Sequence, residues 1–257
     1  MIMKLAIHKW GRRLAFLICV TACMTGCAVK LVYNQLDWAI PWYLDDYMSL
    51  NSDQETHFKA QLSDYLYWHR VDQLPQYAVF LRQIAQQAGD GLDRRELAAM
   101  QARTEDFANT LVTQMTPHVI ALFASATEPQ LQQLFARFEK DNEEFRRDYV
   151  DLSERDKRKK AEEEARSFVE RWVGGLTREQ NSMIRHWSRQ YLPMGAEMLQ
   201  ARQAWQQRFR DVLALRQVQP ARYQLAMADL LNDRKFGRSP QFDAKFTHNN
   251  EAVVDLY

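Results

Sequence analysis

The sequence predicts an all-α fold, an elongated bundle of about seven or eight helices, and three observations lead there. Beyond residue 33, apolar residues recur at the three-and-four spacing of a helix face through most of the chain. Glycine is scarce, at 8 of 257 residues against a usual share of about 7%. Only Gly89, Gly91, Gly174, Gly175, Gly195 and Gly237 follow residue 27, too few flexible turn points for a β-rich protein. Finally, a small polar residue followed three positions later by Gln or Glu, the pair that caps a helix start, recurs ahead of apolar stretches.

In chain order, the first segment decides the compartment. Met1 to Arg13 carries Lys4, Lys9, Arg12 and Arg13 and no acid, and Leu14 to Met24 is an apolar run of eleven residues. A bilayer span needs about twenty, so residues 1–26 read as a cleaved export signal. Met24-Thr25-Gly26-Cys27 resembles the lipobox of bacterial lipoproteins, with Met24 in place of the commoner Leu. The resemblance implies cleavage between Gly26 and Cys27 and lipidation of Cys27, palmitate included. An uncleaved signal anchor, or a secreted protein with an incidental thiol, is the competing reading. Three acyl chains exceed the two-signal threshold for stable anchoring, at about 0.8 kcal/mol per buried methylene. Ala28 stands where an Asp, by resemblance to enterobacterial lipoproteins, would imply inner-membrane retention. The expected location is the outer membrane, facing the periplasm.

Residues 27–32 read as an acylated tether, 33–232 as the helical domain and 233–257 as a loosely ordered tail. The first helix holds Leu36, Ile40, Tyr43, Leu44 and Tyr47 on a stripe, with Pro41 starting or kinking a turn. Lipobox, Tyr33-Asn34-Gln35-Leu36-Asp37-Trp38 and Pro41-Trp42-Tyr43-Leu44-Asp45-Asp46-Tyr47 together resemble a proteobacterial family of uncharacterised lipoproteins, which implies the anchor and no activity. The next helix is capped by Asn51 with Gln54 or Ser52 with Glu55, runs to about Arg70 and buries Phe58, Leu62, Tyr65 and Leu66. A break near Asp72 and Pro75 precedes a helix with Tyr77, Phe80, Leu81 and Ile84 inward, stopped at Gly89-Asp90-Gly91. Asp93 and Glu96 cap the next, striped by Leu97, Phe107, Leu111 and Met115, with a kink at Pro117.

Thr127 and Gln130 cap a stretch that no Gly or Pro interrupts between 130 and 173. Glu154/Arg158, Asp156/Lys160, Lys159/Glu163 and Lys160/Glu164 lie four apart, each pair worth about 0.2–0.5 kcal/mol, which suits a solvated strut. One long helix and a break at 151–153 are both open; Gly174-Gly175 ends the segment. Thr177 and Gln180 start a helix that carries Ile184, Trp187 and Tyr191 on one face until Pro193. Met198, Trp205, Phe209, Val212 and Leu213 stripe the following helix, and Tyr223, Leu225, Met227 and Leu230 the one after Pro220. Leu176-Thr177-Arg178-Glu179-Gln180 is similar to the Leu-Thr-x-x-Gln motif of small periplasmic stress chaperones, helical cradles that bind unfolded clients. Ordinary capping accounts for the same residues.

Removing the signal takes away four cations and turns a formal charge of +1 into −3, so no nucleic acid partner is expected. Cys19 and Cys23 leave with the signal and Cys27 is acylated, so no disulfide forms. His57, His69, His118, His186 and His248 are scattered without zinc-ligand spacing, and no nucleophile elbow, phosphate loop or dinucleotide turn occurs. No catalytic residue, metal ligand or cofactor is therefore assigned. Asp45 and Asp46 are neighbours pointing about 100° apart on a helix, which suits a helix-terminal charge better than a glycosidase pair. Ile184, Trp187 and Tyr191, flanked by Arg185, His186 and Arg189, form the candidate partner face. The expected role is a non-enzymatic binding or assembly protein of the cell envelope, chaperone-like, held to the membrane by its acyl chains. The alternatives are a hydrolase of envelope polymers, which requires a cleft with carboxylates from separate helices, and a purely structural protein.

Overall fold

The structure, a computed structural model, describes residues 27–87, 91 and 93–254. The expected signal peptide, Gly26 included, lies outside the described residues. Those described are all-α: α1 (Cys27–Tyr33), α2 (Leu36–Asp45), α3 (Ser52–Trp68), α4 (Leu74–Gln87), α5 (Arg94–Ala124), α6 (Glu128–Phe145), α7 (Glu154–Val173), α8 (Arg178–Gln190), α9 (Gly195–Leu213), α10 (Pro220–Asn232) and α11 (Pro240–Val254). Five-residue π turns, His69–Gln73 and Arg146–Val150, follow α3 and α6. The chain divides into two compact units at Leu66/Tyr67, inside α3, rather than forming one domain over 33–232.

The helix starts follow from their capping chemistry. Gln54 N donates to Asn51 Oδ1 at 3.0 Å and Asn51 N to Gln54 Oε1 at 3.1 Å, which selects the Asn51/Gln54 pair over Ser52/Glu55. Asp93 and Glu96 exchange the same two bonds at 2.8 and 2.9 Å, and Thr177 and Gln180 at 3.1 and 2.9 Å. At α6, Thr127 N donates to Gln130 Oε1 at 2.9 Å. Each pair satisfies backbone donors that the first turn would otherwise leave orphaned.

In the first unit, Met48 and Leu62 are buried, and Tyr33 Oη donates to Leu66 O at 3.4 Å. The expected tether is helical, and α2 runs through Pro41 without interruption.

In the second unit α9 is the hub, packed on α6, α10, α11 and the second π turn. Phe209, Val212 and Leu213 are almost fully buried there, and Phe209 meets Phe123 at 5.0 Å and stacks on Trp205 at 5.1 Å. Opposite lie Tyr223, Met227 and Leu230 of α10, which pairs with α5. Tyr223 Oη donates to Ile120 O at 2.8 Å across that pair. Asn142 Nδ2 donates to Gln206 Oε1 at 2.7 Å, a buried polar link between α6 and α9.

Three expectations are corrected, and the choice left open over residues 128–173 is decided for the break. The break at Asp72–Pro75 is a π turn that joins α3 to α4 without a gap, its wider winding lying immediately before Pro75, where a proline interrupts the ordinary helical ladder. Residues 128–173 are two helices: the second π turn and a bend at Asp151 end α6, and Ser153 Oγ accepts from Asp156 N at 3.2 Å to start α7. The charged strut is solvated on one side only, since Ala161 is buried and α7 packs along α8. Of the four expected pairs, Lys159–Glu163 is present at 3.6 Å, whereas Lys160 donates to Asp148 O at 2.9 Å and covers the Tyr149 ring. The tail, expected to be loose, contains α11 with Phe242, Asn249 and Ala252 buried. Its Asn249 side chain accepts from Leu192 N at 2.8 Å and donates to Leu192 O at 2.9 Å, pairing the backbone that Pro193 removes from α8.

Candidate functional site

The expected partner face is turned largely inward. Ile184 is buried, Trp187 and Tyr191 are half-buried, and their rings lie 5.1 Å apart. Tyr191 borders a cavity of about 290 Å³ between the second π turn, α7 and the start of α9. Gly195 is there because the backbones touch: a Cβ would sit 2.5 Å from Tyr149 O. Tyr149 Oη donates to Glu164 Oε1 at 2.9 Å, and that bond, then burial and the carboxylate's charge, raise the phenol's pKa. Burial, then Glu164, raises that of Tyr191. Both phenols are thereby held toward their protonated, hydrogen-bond-donating form.

Sequence reasoning missed two more open surfaces. In the second unit α4 meets α5 around Phe107, which lies 4.6 Å from Tyr77 and 5.6 Å from Phe80 with the Arg103 guanidinium 4.4 Å above it, and Arg103 also donates to Gln76 Oε1 at 3.3 Å. Beside this contact lies an open cleft of about 780 Å³, lined by Phe80, Ala99 and Met100 together with Gln83, Gln87, Asp93, Arg95 and Glu96. No residue of α4 is fully buried, and Val79 and Leu81 are 47% and 55% exposed. The expected inward stripe is thus half open. Val79 lies off the stripe, whereas Leu81, one turn from Tyr77 and beside Ile84, shares its face and is uncovered all the same, which a helical period does not reveal.

In the first unit Trp38 and Trp42, one turn apart on α2, stack at 6.2 Å with planes 10° apart and are 65% and 63% exposed. They border a groove of about 460 Å³ that also holds Asp37, Asp45, Phe58 and Glu55. Carboxylates from two helices meet here, the outline the hydrolase alternative required. Glu55, however, is half exposed and paired with Lys59 at 2.6 Å, the opposite of the desolvated carboxyl that a general acid needs. Among the described residues no group of three or more His, Cys, Asp or Glu is placed to hold a metal ion. No described helix is long and apolar enough to cross a membrane. Cys27 begins α1.

These elements define an all-α protein with open grooves between paired helices. The chain belongs to DUF6279, a family of unknown function whose model matches residues 46–242. No curated protein and no solved structure matches it.

Proposed function

We propose that the chain is a lipoprotein, acylated at Cys27 and held on the periplasmic face of the outer membrane, where its helical body binds a protein partner or unfolded client without catalysis. The observation that carries the binding role is the α4/α5 cleft: apolar Phe80, Ala99 and Met100 among Gln, Arg and carboxylate side chains, beside an amphipathic helix with its apolar stripe half covered. Such a surface accepts an apolar segment of another chain, and its polar side chains keep the free protein soluble. The capped starts that resemble the chaperone motif support the same reading weakly, since any helix gains from them. The anchor rests on the cationic start, short apolar core and Met24-Thr25-Gly26-Cys27.

Two measurements test the two halves. Cells given an alkyne-tagged palmitate should label the wild-type protein and not Cys27→Ala, and the label should sediment with outer-membrane fractions; equal labelling of both would reject the anchor. The mature chain in nanodiscs should slow aggregation of a reduced, unfolding model protein near stoichiometric ratio. Ala99→Glu with Met100→Glu, both in the cleft lining, should abolish that effect while leaving the helical circular dichroism unchanged. Equal suppression by the variant, or none by the wild type, would reject the cleft as the client site.

A further inference from the structure

We propose that α2 is a membrane-docking face whose Trp38–Trp42 pair lies in the headgroup layer of the bilayer that carries the anchor; this rests on acylation of Cys27. Distance comes first. Trp38 follows Cys27 by eleven residues, most of them in α1 and α2, so at about 1.5 Å per helical residue it stays within roughly 17 Å of an anchored cysteine. A side chain tethered that closely reaches the interface when the helix lies along the membrane, with no unwinding of the chain.

Composition fits that place. Trp38, Trp42 and Tyr43 are each more than half exposed, and each joins a broad apolar ring to a polar N–H or O–H, the combination that favours the boundary between acyl chains and water. Leu31 and Val32, in the anchor's own helix α1, are exposed too. The opposite side of α2, with Leu36, Ala39, Ile40 and Leu44, is half covered by its own unit, so the aromatic side is the one left to an external surface. No described helix can span, so the contact is with the surface rather than across it.

Charge selects the lipid. Asp37 and Asp45 flank the tryptophans, and Lys59 in the same groove is already paired with Glu55. An acidic rim around aromatic faces suits the ammonium of an ethanolamine headgroup and repels an anionic one. The family match begins at residue 46, so this face lies between the anchor and the region the family shares.

The test uses the full mature chain, purified from membranes and reconstituted in vesicles of phosphatidylethanolamine and phosphatidylcholine with brominated acyl chains. Two of the six tryptophans after Cys27 are at stake, so brominated lipid should quench about one third of the emission. That component should vanish in Trp38→Phe/Trp42→Phe and shrink when phosphatidylglycerol replaces the ethanolamine lipid. Acylated wild type without quenching, or equal quenching of the double variant, overturns the proposal. So does a tryptophan pair shielded from both brominated lipid and aqueous iodide, which would mark a protein partner on this face. The mass of the N-terminal peptide reports acylation separately. If it is absent, the anchor reading fails, and flotation of the unacylated chain with the same vesicles decides this one: binding lost in Trp38→Glu/Trp42→Glu upholds the face, and no binding overturns it.

Discussion

Gly195 and Tyr223 show how single atoms set the packing of the second unit. Gly195→Ala places a methyl 2.5 Å from Tyr149 O, so the start of α9 must move off the π turn. A loss of about 1–3 kcal/mol is expected in urea unfolding, the usual cost of overpacking. Tyr223 is buried, and burial pushes its pKa up to about 12. The unfolded phenol ionises near 10, so this group's contribution is complete below pH 10 and is lost as pH rises from 10 to about 12. Ultraviolet titration should find one tyrosine ionising last, together with unfolding. Tyr223→Phe should remove that step and, by losing the bond to Ile120 O, cost about 0.5–1.5 kcal/mol at neutral pH.

Elements were legible where their information is local. Asn51/Gln54, Asp93/Glu96 and Thr177/Gln180 are short-range pairs, and each forms the reciprocal bonds its spacing implies. Thr177→Ala should accordingly cost about 1 kcal/mol and raise amide exchange in the first turn of α8. What stayed hidden depends on partners far away in sequence. The pattern of α11 looked lost because one of its buried residues is Asn249, whose purpose appears only beside Leu192, and Phe242 and Phe246 alone make a thin stripe. The half-open α4 was missed for a related reason: a helical period shows that a face is apolar, not that something covers it. The buried Asn142–Gln206 link was equally silent. Asn142→Leu should cost about 1–3 kcal/mol by stranding Gln206, and Asn142→Leu/Gln206→Leu should recover part of it; denaturant midpoints of the three variants decide.

At the scale of the whole molecule, composition announced the all-α class, and the family match covers most of the chain. The core of the second unit is completed by its final helix. Lys245 Nζ donates to Glu197 Oε1 at 2.6 Å and to Pro193 O at 3.0 Å, and Gly237 passes so close to α9 that a Cβ would sit 2.6 Å from Ala201 O. Ending the chain at Asn232 should therefore expose the α8–α9 seam, lower the melting temperature by several degrees and raise dye binding to apolar surface; an unchanged melting curve would show α11 to be dispensable.

The same clasp orders events in time. Leu192 waits for Asn249, 57 residues further on and so made later. Until then the backbone around Pro193 lacks its partner and α9 is uncovered on one side. Under the lipoprotein reading proposed above, a clasp that closes this late leaves the chain open while it is exported and its cysteine is modified.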